Sequence, residues 1–263
     1  MRPSRGSEAE VEERRQLVLR QVTDEGEVRI GDLAERLGVS LMTMHRDLDN
    51  LQERQLLRKR RGVASAFPTV TVESALRFRE HSNVAIKEAM AEALADQVTP
   101  GGTVLVDCGS TLFPLVRRLR EVEGLRLITN SLRVAYLLNG SDVQVTLLGD
   151  RYYPDFESCA GPETLRQLER VRADIAFLTA TSISEGRLFH PIREYADNKE
   201  AYVRTAERVV LAADHSKFGR TATYAYGDVS GYDLLVTDSA APADEVRSIA
   251  DLGVEVCTVD LRE

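Results

Sequence analysis

The chain has 263 residues, of which 43% are hydrophobic and 29% charged, and a formal net charge of −8. That length is enough for a substantial core and predicts two domains; no apolar run approaches the ~18 residues needed to cross a bilayer, and the opening MRPSRGSEAEVEERR has no apolar core of the secretory kind. The composition therefore predicts a cytoplasmic protein with no membrane partner. Three dispersed cysteines (Cys108, Cys159, Cys257) and four histidines without ligand spacing predict no disulfide framework, no zinc site and no cofactor.

The first 66 residues depart from the acidic average. They carry 13 Lys/Arg against 12 Asp/Glu, a net of +1, leaving −9 for the remainder. Six of those cations fall between Arg46 and Arg61, against the three acids Asp47, Asp49 and Glu53. Leu17, Val18, Gln21 and Val22 suggest a first helix over about 9 to 23, closed by Gly26. Ile30, Leu33, Ala34 and Leu37 recur at i, i+3, i+4 and i+7, one buried stripe, and Gly38 supplies the positive φ at which helices often stop.

Ser40 is then an N-cap for a further helix, whose stripe Leu41, Met44, Leu48 and Leu51 leaves Met42, Thr43, His45, Arg46 and Asn50 on the outer face. Two short helices joined by a three-residue turn, the second exposing hydrogen-bonding side chains, form a helix-turn-helix. A major groove about 12 Å across admits such a helix, and side chains near its N-terminus reach base edges. Thr43, His45 and Arg46 are the best placed, with Ser40 and Asn50 beside them. LLRKRRGVAS follows as two strands turning at Gly62, a wing that offers Arg58, Lys59, Arg60 and Arg61 to phosphates. A charged run alone is usually a solvated face; the order helix, glycine, serine, helix, basic hairpin favours the groove.

RRQLVLRQVTDEGEVRIGDLAERLGVSLMTMHRDLDNLQERQLLRKRRG resembles the winged helix-turn-helix of the DeoR family of bacterial transcription regulators, through Ser40, Thr43 and the triplet Arg46-Asp47-Leu48. The family commonly has Arg-Arg-Asp-Leu, and His45 takes the first Arg position. The DNA-binding domain is expected over 9–66. FPTVTVESALRFRE lacks a regular period and is expected to be a linker over 67–80, with Phe67 able to pack on either side.

Residues 81–263 are expected to form an α/β domain. VAIKEAMAEALADQV, TLFPLVRRLR, LRVAYLL, PETLRQLERV, NKEAYVRTA and ADEVRSIADL are helical in pattern. TVLVD, LRLIT, VQVTLLG, DIAFLTA, RVVLAAD, LLVTD and VEVCTV are strand-like. This alternation predicts a mainly parallel, Rossmann-like sheet covered on both faces, where ligands bind at the carboxyl ends of the strands. Polar residues cluster at those ends: Asp107, Gly109, Ser110 and Thr111; then Thr129, Asn130 and Ser131; then Gly149, Asp150 and Arg151, with Lys217, Glu194 and Lys199 further on. Hydroxyls with a Lys and an Arg suit a phosphate, while Asp107, Asn130 and Glu194 suit hydroxyl groups, which together describe a phosphorylated sugar. Each of these motifs is by itself more often a helix cap; their repetition at successive strand ends carries the reading.

DCGST, TNSL, GPETLRQL, ADIAFLTATSIS and LAADHSKFG resemble the C-terminal sensor domain of the same family, so that the likeness spans about residues 10 to 240. The resemblance implies a sensor similar in fold to sugar-phosphate isomerases, an effector that alters affinity for a double-stranded operator, and a homo-oligomer, dimer or tetramer. It implies effector contacts at Asp107, Gly109, Ser110, Thr111, Thr129, Asn130, Ser131, Arg151 and Lys217. The family often has Gly-Gly-Arg where this chain has Gly149-Asp150-Arg151, and a carboxylate there suits an additional ligand hydroxyl. The expected function is a repressor. The alternative is a sugar-phosphate isomerase, with Glu194 or Asp107 as general base, although Thr179 to Ser184 holds no acid where related isomerases place theirs.

Overall fold

A computed structural model describes residues 8–53, 57–65 and 76–260. The chain falls into two compact units that divide between Ser82 and Asn83. Of the expected linker, residues 67–75, Phe67 among them, lie outside the described residues, and Leu76–His81 is a short helix, so its last third is regular rather than irregular.

The first unit comprises α1 (Glu8–Glu25), β1 (Glu27–Arg29), α2 (Ile30–Arg36), α3 (Leu41–Glu53), β2 (Arg58–Arg60), β3 (Val63–Ser65) and α4 (Leu76–His81). Val18, Leu19 and Val22 of α1, Ile30, Leu33 and Ala34 of α2, and Met44, Leu48 and Leu51 of α3 close on one core with Leu57 and Ala64. Leu19, not Leu17, is the α1 contributor, since Leu17 is 43% exposed. Leu41, expected in the buried stripe of α3, is also exposed and is the first residue of the helix, so the stripe begins at Met44. β3 pairs antiparallel with β2 and with β1, giving a three-stranded wing sheet, the β1 strand being too short to leave a pattern in the sequence. The β2–β3 turn places Arg61 and Gly62 at φ 45° and 81°, the two positive values a tight hairpin requires.

Asp47 is the polar member of this core. It is 2% exposed and accepts from Arg14 Nε at 2.7 Å and Arg15 Nε at 3.0 Å, which ties α3 to α1. Asp47→Ala removes the shared acceptor of two guanidinium groups that are themselves partly shielded, and is expected to lower the stability of this unit by about 2–3 kcal/mol. Urea unfolding measures it; a change below about 0.5 kcal/mol would show the pair to be ornamental.

The second unit runs α5 (Val84–Ala95), β4 (Thr103–Val106), α6 (Phe113–Leu119), β5 (Arg126–Thr129), α7 (Leu132–Leu137), β6 (Gln144–Leu147), β7 (Arg151–Tyr153), β8 (Ser158–Ala160), α8 (Pro162–Leu168), β9 (Ala173–Thr179), β10 (Ser182–Ser184) and β11 (Arg187–His190). It continues with α9 (Arg193–Thr205), β12 (Ala206–Ala212), β13 (Tyr224–Asp228), β14 (Leu234–Asp238), α10 (Ala243–Asp251) and β15 (Glu255–Val259). Seven strands form one sheet in the order β15-β14-β12-β9-β4-β5-β6, every neighbouring pair parallel. Leu105, Ala176, Leu178, Leu211 and Leu235 at its centre are completely buried, as strands covered on both faces require. A β10-β11-β13 antiparallel sheet and a β7-β8 hairpin are added beside it. α9 starts at Arg193, five residues before the expected NKEAYVRTA segment, so Glu194 and Tyr195 are helical.

The order of the sheet determines where a crevice opens. From β4 the chain proceeds outward through β5 and β6, and then returns to the other side of β4 as β9, continuing to β12, β14 and β15. The carboxyl ends of β4 and β9 therefore flank the switch point of the sheet, the place where open α/β sheets hold ligands.

Candidate functional site

In the first unit, α3 and the wing present most of the expected polar residues. Ser40 Oγ accepts from Thr43 N at 3.1 Å and lies 2.9 Å from Thr43 Oγ1, so Ser40 is the expected N-cap. One turn on lie His45 and exposed Arg46, whose Nη2 reaches Met42 Sδ at 4.0 Å, and Asn50 follows, half-buried. Arg58, Arg60 and Arg61 are exposed on the wing. Lys59 differs from them. Its ammonium is ion-paired with Asp49 and lies 3.4 Å from His45 Nδ1, while its backbone N–H donates to Gln52 Oε1 at 2.9 Å. Lys59 thus links the wing to α3.

In the second unit, Asp107 follows β4 at the switch point and is 1% exposed. Its Oδ1 accepts from Cys108 N at 2.7 Å; its Oδ2 accepts from Thr179 N at 3.1 Å, from Thr179 Oγ1 at 2.8 Å and from the Lys199 ammonium. Lys199, on α9, also donates to Thr179 O at 2.7 Å and stands 6.0 Å from the centre of the Tyr226 ring. Burial pushes the Asp107 carboxyl up, but the Lys199 charge and the Lys199 and Thr179 hydrogen bonds outweigh it, and the group lies below the ordinary carboxylate value. Gly109 makes this arrangement possible: a Cβ there would stand 2.0 Å from Thr179 Oγ1 and 2.6 Å from Thr179 Cβ.

Next to this ion pair, Ser110 and Thr111 are 5% and 4% exposed. Lys87, a buried lysine on α5, donates to Ser110 Oγ at 3.3 Å. Asp214, after β12, accepts from Asn83 Nδ2 and Ser216 N, both at 3.0 Å, and from Ser216 Oγ. Burial raises its carboxyl, but the charges of Lys217 and Lys87 and the Ser216 bonds hold it below the usual range. The charges of two lysines, Lys87 and Lys217, therefore act on one carboxylate, and Lys87 also bonds the Ser110 hydroxyl. Sequence reading missed Lys87 because it belongs to an amphipathic helix remote in the chain; its place among the apolar positions Ile86, Met90, Ala91 and Leu94 was the available sign.

On the other side of the switch point Arg151 stands 5.7 Å from the centre of the Tyr153 ring. Burial, and then the carboxylate of Glu194, push the Tyr153 hydroxyl above the ordinary phenol value. Tyr153 meets Tyr195 edge-on at 5.4 Å, and Tyr195 packs on Phe156 and His190.

The other expected effector contacts are engaged internally. Thr129 Oγ1 accepts from Ser131 N at 3.1 Å, and Ser131 caps α7 by accepting from Val134 N at 3.2 Å. Asn130 donates to Cys159 O at 2.7 Å and accepts from Tyr202 OH at 2.9 Å, joining β5, β8 and α9. All three residues are completely buried. Gly149 is bonded through its N–H to Gln167 and through its carbonyl to Thr164 and Gln167. Asp150 accepts from Glu163 N at 2.5 Å and Thr164 N at 3.3 Å, capping α8 across the chain. Gly161, at φ +146°, leaves room for it, since a Cβ would lie 2.5 Å from Asp150 Oδ2. The carboxylate expected to meet a ligand hydroxyl thus serves a helix terminus. Among the described residues no group of three or more His, Cys, Asp or Glu is placed to hold a metal ion, and no helix is long and apolar enough to cross a membrane.

Residues 14–69 match the sequence profile of the DeoR-like helix-turn-helix domain, and residues 82–239 that of the DeoR C terminal sensor domain. Similar proteins include the HTH-type transcriptional regulator GlpR of Haloferax volcanii, 31% identical over 93% of this chain and 96% of that one. Another is the glycerol-3-phosphate regulon repressor of Escherichia coli, 30% identical over 91% and 96%. A solved structure of ribose 5-phosphate isomerase A from Methanocaldococcus jannaschii is similar at a TM-score of 0.39 and 19% identity, over 52% of this chain and 55% of that one.

Proposed function

The chain belongs to the DeoR family of transcription regulators, and from that premise we propose a repressor whose operator affinity is set by a phosphorylated sugar-type metabolite held at the switch point of the second unit. DNA binding is the task of the first unit. What supports the effector reading is the bond from Lys87 to Ser110 Oγ after β4, together with the charges of Lys87 and Lys217 that both act on Asp214 after β12: cations and a hydroxyl at neighbouring strand ends suit the oxygens of a phosphoryl group. Arg151, Tyr153 and Glu194, on the far side of the switch point, suit sugar hydroxyls.

A phosphoryl group arriving there takes Ser110's place as the acceptor for Lys87. The consequence travels by chain connection. Lys87 is in the first turn of α5, and Asn83, bonded to Asp214, is the first residue past the division between the units. Exchanging those bonds alters how α5 begins and hence how the preceding segment enters it. A differential free energy of ~1–3 kcal/mol between two such arrangements is enough to regulate DNA affinity. The protein acts as a homo-oligomer, dimer or tetramer, that sets two recognition helices about 34 Å apart.

The sensor reading is preferred to catalysis because the ion pair with Lys199 and the bonds from Thr179 hold the Asp107 carboxyl below the ordinary value, which lowers the basicity that a general base needs. The test is a panel of sugar phosphates titrated into protein bound to its own upstream DNA. One member is expected to change affinity at least fivefold, and the response is expected to vanish in Lys217→Ala; indifference to every phosphate sugar would sink the effector reading. On the DNA face, Arg46→Ala is expected to cost about 1–3 kcal/mol on the specific site only, whereas Arg60→Ala weakens all sequences alike. Equal losses on specific and random duplex for Arg46→Ala would remove it from base contact.

A further inference from the structure

The outer tip of α3 is apolar. Leu41 and Met42, its first two residues, are 55% and 67% exposed, next to the Ser40–Thr43 cap and one turn before His45 and Arg46. The helix has no need of them for its own packing, because Met44, Leu48 and Leu51 already fill its side of the core. Nor is the surrounding surface one that suits an apolar protein partner: Arg46, Arg58, Arg60 and Arg61 are all exposed on α3 and the wing, which fits a polyanion. In a major groove the base edges offer hydrogen-bond donors and acceptors and one apolar group, the 5-methyl of thymine.

The geometry points to Leu41 and Met42 as a methyl-reading pair that selects a 5-methylpyrimidine at the base steps facing the start of α3. This rests on the DNA-binding reading of the first unit and adds its apolar half. Arg46, held against Met42 through the contact of its Nη2 with the thioether sulfur, supplies the polar half one turn along the same face. Thymine and 5-methylcytosine present the same methyl at the same groove position, so both are ligands of this chemistry. Cytosine and uracil, which lack it, are discriminated against.

The test uses the full chain and a duplex selected by it from a random library. Each thymine is replaced singly by deoxyuridine, which deletes the methyl and leaves every hydrogen-bonding atom. At one or two positions per half-site the dissociation constant is expected to rise about fourfold, the scale of one buried carbon. Met42→Ser or Leu41→Ser is expected to bind the thymine and uracil duplexes alike at that position. Both substitutions are at exposed sites, so an unchanged melting temperature accompanies that result. Placing 5-methylcytosine there is expected to bind better than cytosine, and a preference for thymine alone would assign the discrimination to the pyrimidine's polar edge instead. If no uracil replacement changes affinity while Arg46→Ala still abolishes selective binding, the methyl reading is overturned and the DNA reading stands. If the library yields no selected sequence at all, the DNA reading itself fails.

Discussion

Gly109→Ala is expected to destabilise the second unit by about 3–5 kcal/mol, an effect usually seen for core truncations rather than for one added methyl. The glycine has an ordinary φ of −73°, so backbone freedom is not the reason. The reason is Thr179: the new methyl would lie 2.0 Å from its Oγ1, 2.5 Å from its Cγ2 and 2.6 Å from its Cβ. Rotating the Thr179 side chain leaves Cβ where it is, so the ends of β4 and β9 must part. Parting them stretches both bonds from Thr179 to Asp107 and uncovers the carboxylate that Lys199 neutralises. Chemical denaturation of the variant measures the loss. A cost under about 1 kcal/mol would mean that the crevice is pliant and that Asp107 is not held as described.

Lys199→Met carries the second large effect and a reversal with pH. Losing the ammonium strands a charged, fully buried carboxylate, worth about 3–5 kcal/mol near neutrality. In the native chain Asp107 titrates below its unfolded value of ~3.9, so its stabilising contribution is complete above that pH and is lost as pH falls through the lower folded value. In the variant, burial is the dominant influence left and lifts the folded value above ~3.9. The neutral form is then the tolerated one, and the variant loses stability as pH rises. The two proteins should therefore converge in melting temperature on acidification toward about pH 4 and diverge on the way to pH 7. Parallel curves would refute the assignment of the charge to this pair. Asp107→Asn combined with Lys199→Met is expected to recover part of the loss.

How much of this was legible depended on whether a residue's partner was near in sequence. The inner strands of the large sheet, β4, β5, β9, β12 and β14, were readable as apolar runs, because strands buried on both faces need no polar alternation, whereas the edge strands β6 and β15 keep exposed polar positions. The three-residue strands β1, β7, β8 and β10 were not, since so short a segment carries no period and they lack the basic run and turn glycine that marked the equally short β2 and β3. Local chemistry was also legible: Ser40 caps α3 through a residue three positions away. Long-range partners were not. Asp150 looks in sequence like a free carboxylate on a strand end, and only the fold brings the α8 N–H groups of Glu163 and Thr164 to it. Likewise Asn130 has the appearance of a ligand contact until Cys159 and Tyr202 arrive from elsewhere in the chain. Lys87 shows the converse, a residue ordinary in its helix whose meaning lies 23 positions on, at Ser110.

The wing bears four consecutive basic residues, yet Lys59 is already neutralised by Asp49 within the protein. On the DNA-binding proposal, each phosphate neutralised on a duplex frees about 0.9 of a condensed cation into solution, so a wing cation already paired with a carboxylate, as Lys59 is, adds less to that release than a full charge would. What the Lys59–Asp49 pair gives instead is stiffness: it ties the hairpin to α3, so that a wing docked as proposed would meet the duplex at an angle set by that helix.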